Sequence, residues 1–189
     1  MTASPPTGQK ARMLAGELYL ANDPELAADH ARAQAILAKF NASGGDEDAL
    51  RLELLTDLFG HVGEGAVVKP SLRCDYGCNV SIGARTFINY DCLLLDCNRI
   101  TIGEEVQIAP GVHIYTATHP LDAATRRSGL EYALPVTIGD GVWLGGGAIV
   151  CPGVTIGENT VVGAGSVVTR SLPANVLAAG NPCRVIRAC

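Results

Sequence analysis

The sequence predicts a mainly β protein, a parallel β-helix built from six-residue repeats. Apolar residues recur at every sixth position in the C-terminal half, and glycine follows four of them: Ile138, Leu144, Val150, Ile156, Val162 and Val168. A helical face repeats near 3.6 residues and a strand near 2, so neither explains a period of six. This period is typical of a triangular prism in which three short strands form each coil and each strand points one side chain inward.

The same frame extends towards the N-terminus with two kinds of interruption. Three earlier triplets keep the spacing of six, and each makes one coil of 18 residues: 62, 68 and 74; 82, 88 and 94; 102, 108 and 114. The two steps between these triplets are eight residues long, which a bulge at a corner absorbs. The step from Ile114 to Ile138 is 24 residues, so residues 120–137 are predicted to leave the prism and return. We therefore expect five coils and one long functional loop.

Residues 9–60 are predicted to form a helical cap, ahead of the β-helix at residues 61–189. Apolar residues at helical spacing indicate a first helix over residues 10–21 and a second that begins after Asp23, with Pro24 in its first turn. The second helix runs to Phe40, and a third begins at the acidic residues 46–48 and ends at Gly60. An uncapped coil would expose strand edges, so we expect these helices to protect the end of the prism. The alternative is that they also wall a substrate pocket.

Composition argues against several classes of function. A formal net charge of -5 disfavours a nucleic-acid or anionic-membrane binder. No segment approaches the roughly 18 apolar residues of a membrane span, and residues 1–10 lack the pattern of a signal peptide, so we expect a cytoplasmic protein. The seven cysteines are odd in number and form no CxxC pair, which predicts reduced thiols and no metal site.

Six short runs carry a resemblance to a known family. They are Ala-Gly-Glu-Leu-Tyr at 15–19, Asp-Tyr-Gly at 75–77, Ala-Pro-Gly-Val-His-Ile-Tyr-Thr-Ala-Thr-His-Pro at 109–120, Pro-Val-Thr-Ile-Gly at 135–139, Val-Trp-Leu-Gly-Gly at 142–146 and Ala-Gly-Asn-Pro-Cys-Arg-Val-Ile at 179–186. Together they resemble the maltose and galactoside O-acetyltransferases, from about residue 10 to residue 187. The resemblance implies a left-handed β-helix with hexapeptide repeats, and the transfer of an acetyl group from acetyl-CoA to a sugar such as maltose or glucose.

The resemblance implies that His119 is the catalytic base. The acceptor hydroxyl would attack the acetyl-CoA thioester directly, because a neutral imidazole can take the proton of an alcohol near pH 7. His119 also lies where the six-residue frame breaks, which favours a catalytic function over that of a histidine that merely satisfies its hydrogen bonds at a corner. The other histidines, His30, His61 and His113, are expected to be structural.

For the acceptor, the resemblance points to Asn89 and Asp96, together with Asp75 and Tyr76. Amides and carboxylates suit the paired hydroxyls of a sugar, although Asn and Asp are also common turn formers. Glu131, inside the loop, would orient His119 or the acceptor.

The chain departs from the family in two places. Galactoside enzymes carry two adjacent aspartates where this chain has Asp96 and Cys97, which favours the maltose branch, and the acidic residue that follows the Leu-Tyr of the first helix is replaced by Leu20 or Ala21.

For the co-substrate, the resemblance points to a row of small residues and to basic residues near the C-terminus: Gly146, Ala164, Thr169, Arg184 and Arg187. Guanidinium groups suit the phosphates of coenzyme A. The alternatives are corner geometry for the small residues and a solvated tail for the arginines. Trp143 would stack on the cofactor or seal a subunit contact. The family assembles as a homotrimer with active sites between subunits, and we expect the same here.

Two other classes of function stay open at this point. A metal-dependent hydratase of the γ-carbonic-anhydrase type shares the solenoid but needs three histidines around zinc. A non-catalytic solenoid would act as an interaction scaffold. Within the transferases, the acceptor could also be an antibiotic, an oligosaccharide or an amino sugar.

Overall fold

The computed structural model describes residues 7–189, and it begins with three helices and one short strand. These elements are α1 (Gln9–Leu14), β1 (Tyr19–Leu20), α2 (Pro24–Asn41) and α3 (Asp48–Leu58). Helix α2 begins as predicted: the Asp23 carboxylate accepts a hydrogen bond from the Glu25 amide at 2.9 Å. The prediction of a first helix over residues 10–21 is wrong. Gly16 takes a left-handed conformation with φ of 75°, and the chain after it is extended.

The solenoid then runs through three coils before the chain leaves it. The strands are β2 (His61–Val62), β3 (Val67–Val68), β4 (Leu72–Cys74), β5 (Val80–Ile82), β6 (Phe87–Ile88), β7 (Cys92–Leu95), β8 (Ile100–Ile102), β9 (Gln107–Ile108) and β10 (His113–Tyr115). The excursion that follows contains β11 (Ala117–Thr118), α4 (Ala123–Arg127) and β12 (Leu130–Ala133). The chain rejoins the prism at Val136, two residues before Ile138, where the six-residue frame predicts the return, because Val136 and Ile138 both point inward.

Two further complete coils and part of a sixth follow the excursion. Their strands are β13 (Val136–Ile138), β14 (Trp143–Leu144), β15 (Ile149–Val150), β16 (Thr155–Ile156), β17 (Val161–Val162), β18 (Val167–Val168), β19 (Val176–Ala179) and β20 (Arg184–Ala188). The sixth coil contributes β19, which pairs with β17, and β20 then turns back antiparallel to β19. Five complete coils agree with the sequence, whereas the partial sixth was missed because the six-residue frame ends at Val168.

The parallel sheets keep the predicted register from coil to coil. The first sheet has the order β2-β5-β8-β13-β16, the second β3-β6-β9-β14-β17-β19-β20 and the third β4-β7-β10-β15-β18. In the first sheet, Val62, Ile82, Ile102, Ile138 and Ile156 are direct partners, and the other two sheets align their six-spaced residues in the same way. These residues form one continuous core. The mainly β fold with hexapeptide coils is therefore confirmed.

A small second core joins the N-terminus to the excursion. Strand β12 pairs antiparallel with both β1 and β11, and its packing with α1 buries Met13, Tyr19, Leu26, Tyr76, Cys97 and Ala133. We call α1, β1, β11 and β12 the platform. The buried Asn98 amide donates to the carbonyl oxygens of Met13 at 3.1 Å and Ala133 at 2.9 Å, which ties both parts of the platform to the solenoid.

Helices α2 and α3 cover the first coil. The Asn41 side chain pairs with β4 as a backbone residue would, donating to the Leu72 carbonyl at 2.9 Å and accepting from the Leu72 amide at 2.8 Å. Gln34 donates to the Cys74 carbonyl at 3.0 Å. Three leucines of α3, at positions 54, 55 and 58, pack on the core. These contacts satisfy the free edge of the third sheet, which is what a cap must do.

The outer faces of the three sheets differ in polarity. The first sheet presents a polar row of His61, Ser81, Thr101, Thr137 and Thr155. The second presents Val67, Phe87, Trp143, Val161 and Leu177, with Gln107 among them, and the third presents Leu93, Ile149 and Val167, with Arg73 and His113 among them. Two of the three faces are therefore largely apolar. No helix in the described part of the chain has both the length and the apolar character that crossing a bilayer requires.

Candidate active site

His119 and Glu131 face each other where the chain leaves the solenoid. His119 follows β11, and its side chain is 59% exposed, whereas Glu131 on β12 is 19% exposed. The His119 Nδ1 atom lies 3.9 Å from Glu131 Oε2. This arrangement leaves Nε2 of the imidazole free to meet a substrate. A carboxylate behind one ring nitrogen is the arrangement by which proteins orient a histidine that works as a base.

Three buried groups lie behind this pair. Tyr19 is fully buried, and its hydroxyl donates to Glu131 Oε1 at 2.5 Å. Tyr19 packs with Cys97 in the second core, and the Cys97 thiol donates to Asp75 Oδ2 at 3.3 Å. Burial raises the pKa of Tyr19 and of Cys97, so both are protonated donors at neutral pH. Asp75 and Cys97 thus form one hydrogen-bonded pair, and Tyr19 and Glu131 form a second pair beside His119.

Asp75 lines a cavity of about 410 Å³ between α2 and the outer face of the third sheet. Leu93 and Leu95 contribute apolar surface to this cavity, and His30 closes it from α2. Burial raises the pKa of Asp75, and the Cys97 thiol opposes that rise. His30 was predicted to be structural. Its Nδ1 donates to the Asp75 carbonyl oxygen at 3.0 Å, and it also forms part of the cavity wall.

Asp96 and Tyr76 do not face this cavity as the sequence predicted. Asp96 is fully buried, and its Oδ1 accepts the backbone N–H groups of Asp75 and Tyr76, both at 2.9 Å, so it has no free surface for an acceptor. Burial raises its pKa to about 6, against the effect of these donors. The Tyr76 ring lies in the second core, 6.3 Å from His30 in an edge-on arrangement. We correct both assignments: Asp96 shapes the turn that carries Asp75.

Asn89 lies at a different corner of the prism. It follows β6, between the second and third sheets, and shares a cavity of about 140 Å³ with Phe87, Gln107 and the half-exposed Trp143. His119 leaves from the corner between the third and first sheets. The whole third sheet separates these two corners, so one chain does not bring Asn89 to His119.

Two residues expected to bind coenzyme A, Gly146 and Ala164, lie at the same corner as Asn89 in later coils, whereas Thr169 lies at the other end of the third sheet. Gly146 lies between β14 and β15, Ala164 between β17 and β18, and Thr169 just after β18. A Cβ on the neighbouring Gly145 would lie 2.5 Å from the Ala164 amide nitrogen, so close stacking requires glycine there, whereas Gly147 faces open space. This corner is therefore a narrow and accessible ledge.

Two basic side chains lie beyond this ledge. Arg184 and Arg187 are exposed on β20, and within residues 7–189 neither forms an ion pair with a carboxylate.

Across the same residues, no three side chains among His, Cys, Asp and Glu gather into a group that could hold a metal ion. His113 instead bonds through Nδ1 to the Tyr115 hydroxyl at 2.7 Å.

Comparison with known proteins agrees with this geometry. Residues 12–63 match the maltose acetyltransferase hexapeptide capping motif, and residues 135–170 match the bacterial transferase hexapeptide with six repeats. Nodulation protein L of Rhizobium meliloti (strain 1021) is 50% identical over 177 residues, which are 94% of this chain and 97% of that protein. The chain belongs to the maltose and galactoside O-acetyltransferase family.

Solved structures of other members align with nearly all of this hexapeptide acetyltransferase. A maltose O-acetyltransferase from Clostridium difficile 630 has a TM-score of 0.96 at 49% identity, covering 97% of this chain and 98% of that one. A galactoside acetyltransferase solved in complex with coenzyme A has a TM-score of 0.93 at 40% identity, covering 96% and 91% respectively.

Sequence reasoning missed two residues of this acetyltransferase's site. Tyr19 was placed on a helix, which hid its pairing with Glu131 across two strands. Cys97 was counted among plain reduced thiols, although its thiol donates to Asp75 and its side chain packs beside Tyr19. The available signal for Tyr19 was Gly16, three residues earlier, which ends a helix more often than it continues one.

Proposed function

We propose that this chain transfers an acetyl group from acetyl-CoA to a hydroxyl of a sugar, with His119 as general base. The observation that carries the proposal is the His119–Glu131 pair, in which the exposed imidazole lies 3.9 Å from the largely buried carboxylate at the point where the chain leaves the solenoid. Family membership supports the acetyl donor and the class of acceptor, because a relative has been solved with coenzyme A and others are named for maltose and galactoside.

The proposed reaction is a direct attack with no acyl-enzyme. The acceptor oxygen forms a bond to the thioester carbonyl carbon while its proton passes to His119 Nε2. The tetrahedral intermediate then breaks its C–S bond, and the departing thiolate takes the proton back from the imidazolium. Glu131 stabilises the imidazolium while it exists, because a carboxylate near 4 Å favours the charged form. General-base catalysis of this kind contributes roughly 10²- to 10⁴-fold to the rate.

We place the acceptor between Asp75 and Glu131, which supply carboxylate oxygens to sugar hydroxyls. Buried polar groups of this kind reject a molecule without matching hydroxyls, because they would be left unpaired. The pantetheine arm is placed along the ledge at Gly146 and Ala164, where small side chains let a narrow chain approach the backbone. Thr169 is proposed as a further contact with the cofactor, from the corner at the other end of the third sheet. Trp143 would flank it, and Arg184 and Arg187 would meet its phosphates.

The proposed assembly is a homotrimer whose clefts complete the site. Two sheets of the prism present mainly apolar outer faces, although Gln107 interrupts the second and Arg73 and His113 interrupt the third. The first sheet presents a row of hydroxyl groups, so the two mainly apolar faces are suited to burial between subunits and the first to contact with water. A three-fold axis parallel to the solenoid keeps every residue at its own height. The corner with Asn89 and Trp143 in one subunit would then face His119, which leaves the third coil, in the next.

Charge substitutions on matched faces test the assembly. Ile149→Glu places a charge on the apolar third sheet, and Thr137→Glu places one on the first sheet of the same coil. Light scattering should give a trimer for the wild type and for Thr137→Glu, and monomers for Ile149→Glu. A monomeric wild type, or a trimer that both variants retain unchanged, would reject this arrangement.

An acceptor panel tests the reaction itself. Thiol release from acetyl-CoA is followed with maltose, glucose, a galactoside, a chito-oligosaccharide and chloramphenicol, and we expect the sugars to support it. His119→Ala should lose at least about 100-fold in kcat, while His61→Ala, a histidine on the polar first sheet, should keep wild-type activity. Acetylation of chloramphenicol without acetylation of any sugar would contradict a sugar acceptor. Full activity of His119→Ala would rule out His119 as the base.

A further inference from the structure

Tyr19 has a side chain whose hydroxyl the core does not require. It is among the largest fully buried side chains of the described residues, and its ring packs in the second core with Met13, Leu26 and Cys97. A phenylalanine would fill that space equally well. The hydroxyl, however, donates to the Glu131 carboxylate, and a hydrogen bond to an ionised acceptor is stronger than one between neutral groups. We therefore looked for the function of this hydroxyl in its effect on the Glu131 carboxylate.

The two residues are held together by backbone pairing as well as by this bond. Tyr19 of β1 and Glu131 of β12 are direct partners across the antiparallel ladder, so their Cα atoms stay at a fixed separation. Asn98 ties the chain just before β1 and the last residue of β12 to the solenoid. A short bond between two directly opposed side chains leaves the carboxylate little freedom to rotate.

We propose that Tyr19 is a positioning residue for the acetyl transfer, in which its hydroxyl holds Glu131 Oε1 so that Oε2 faces His119. This inference rests on the proposed function of His119. The carboxylate has two oxygens, and Tyr19 occupies one while the His119 Nδ1 atom lies 3.9 Å from the other. Without the phenol, the Glu131 side chain can turn away, and the imidazole loses the group that fixes its orientation.

The surroundings of Tyr19 keep its hydroxyl protonated, so that it stays a hydrogen-bond donor to Glu131. Burial raises the pKa of Tyr19, and Glu131 and Cys97 raise it further, so the phenol does not lose its proton in the working range of the enzyme. Cys97 in turn donates to Asp75. Tyr19 thus bonds directly to the carboxylate that orients His119, and it packs beside Cys97, the donor to the carboxylate at the acceptor cavity.

A double-mutant cycle tests the inference with kcat and KM as readouts. Tyr19→Phe should lower kcat roughly tenfold and leave the KM for acetyl-CoA unchanged, because only the orientation of His119 is lost. In a Glu131→Ala background the same substitution should change kcat less than about twofold, since no carboxylate is left to hold. Tyr132→Phe, which removes a phenol from the next position of β12, serves as the matched control and should be silent.

The outcomes separate this inference from the proposed function. If Tyr19→Phe lowers kcat by the same factor in the wild type and in Glu131→Ala, the effect is purely structural and the inference is overturned. A wild-type kcat in Tyr19→Phe would overturn it as well. If His119→Ala is fully active, the proposed function itself fails. If His119→Ala is inactive and Tyr19→Phe is unaffected, the proposed function stands and only the positioning by Tyr19 is rejected.

Discussion

Asn98→Ala should open the platform without unfolding the solenoid. The amide is almost completely buried and donates to the carbonyl oxygens of Met13 and Ala133 at 3.1 and 2.9 Å, and its oxygen accepts from the Arg99 amide at 2.7 Å. The Ala133 carbonyl would be left without the Asn98 donor, at a cost of roughly 2 kcal/mol. The Met13 carbonyl keeps the Gly16 amide at 3.2 Å and loses only one bond worth about 1 kcal/mol, so the total is about 3 kcal/mol. The second core is small and separate from the main one, so this cost falls on local opening.

Native-state hydrogen exchange measures this opening directly. We expect the amides of β1 and β12 to exchange roughly 150-fold faster in Asn98→Ala, which corresponds to about 3 kcal/mol, while the amides of β14 and β17 keep their protection. Asn22→Ala is the control, because Asn22 is exposed and its side chain makes no hydrogen bond within the described residues. Acetyl transfer should fall along with protection. Equal acceleration throughout the solenoid, or none in β1 and β12, would refute the reasoning.

Three further predictions follow from individual contacts. Asn41→Ala removes both bonds to Leu72 on the edge strand and should lower the free energy of unfolding in urea by about 2 kcal/mol. Gly145→Ala should destabilise the protein by about 2 kcal/mol, since its Cβ would meet the Ala164 backbone, whereas Gly146→Ala should keep its stability and raise the KM for acetyl-CoA. Burial raises the pKa of Asp96 from 3.8 to about 6, so the folded protein holds its proton more tightly than the unfolded chain. The stability of the wild type relative to Asp96→Asn should therefore fall by up to about 3 kcal/mol as pH rises from roughly 4 to 6, and a constant difference in urea unfolding would contradict this.

The solenoid could be predicted from the sequence because its determinant is local and periodic. Each inward residue repeats six positions later, and the observed register pairs Ile102 with Ile138 across the excursion, as the frame requires. The platform could not be predicted in the same way. Its strands β1 and β12 pair Tyr19 with Glu131 across 112 residues, and short strands of this kind carry no periodic signal.

The site shows the same division between local and distant information. His119 could be found because it interrupts a regular frame and because its surroundings resemble a family. Asp96 was misplaced because sequence spacing cannot tell an aspartate that faces a cavity from one whose oxygens accept the backbone N–H groups of Asp75 and Tyr76. The folded structure is needed to see that Asp75 lines the cavity and that Asp96 holds the backbone of Asp75 in place.

The most direct test of the account is the activity of mixed trimers. His119→Ala and Asn89→Ala should each be inactive, but if each cleft takes His119 from one subunit and Asn89 from the next, random reassembly of a 1:1 mixture restores one cleft in four. We therefore expect the mixture to reach about a quarter of wild-type acetyl transfer after co-refolding. A mixture no more active than the sum of its two inactive parents would contradict a shared site and, with it, the proposed arrangement of His119 and its acceptor.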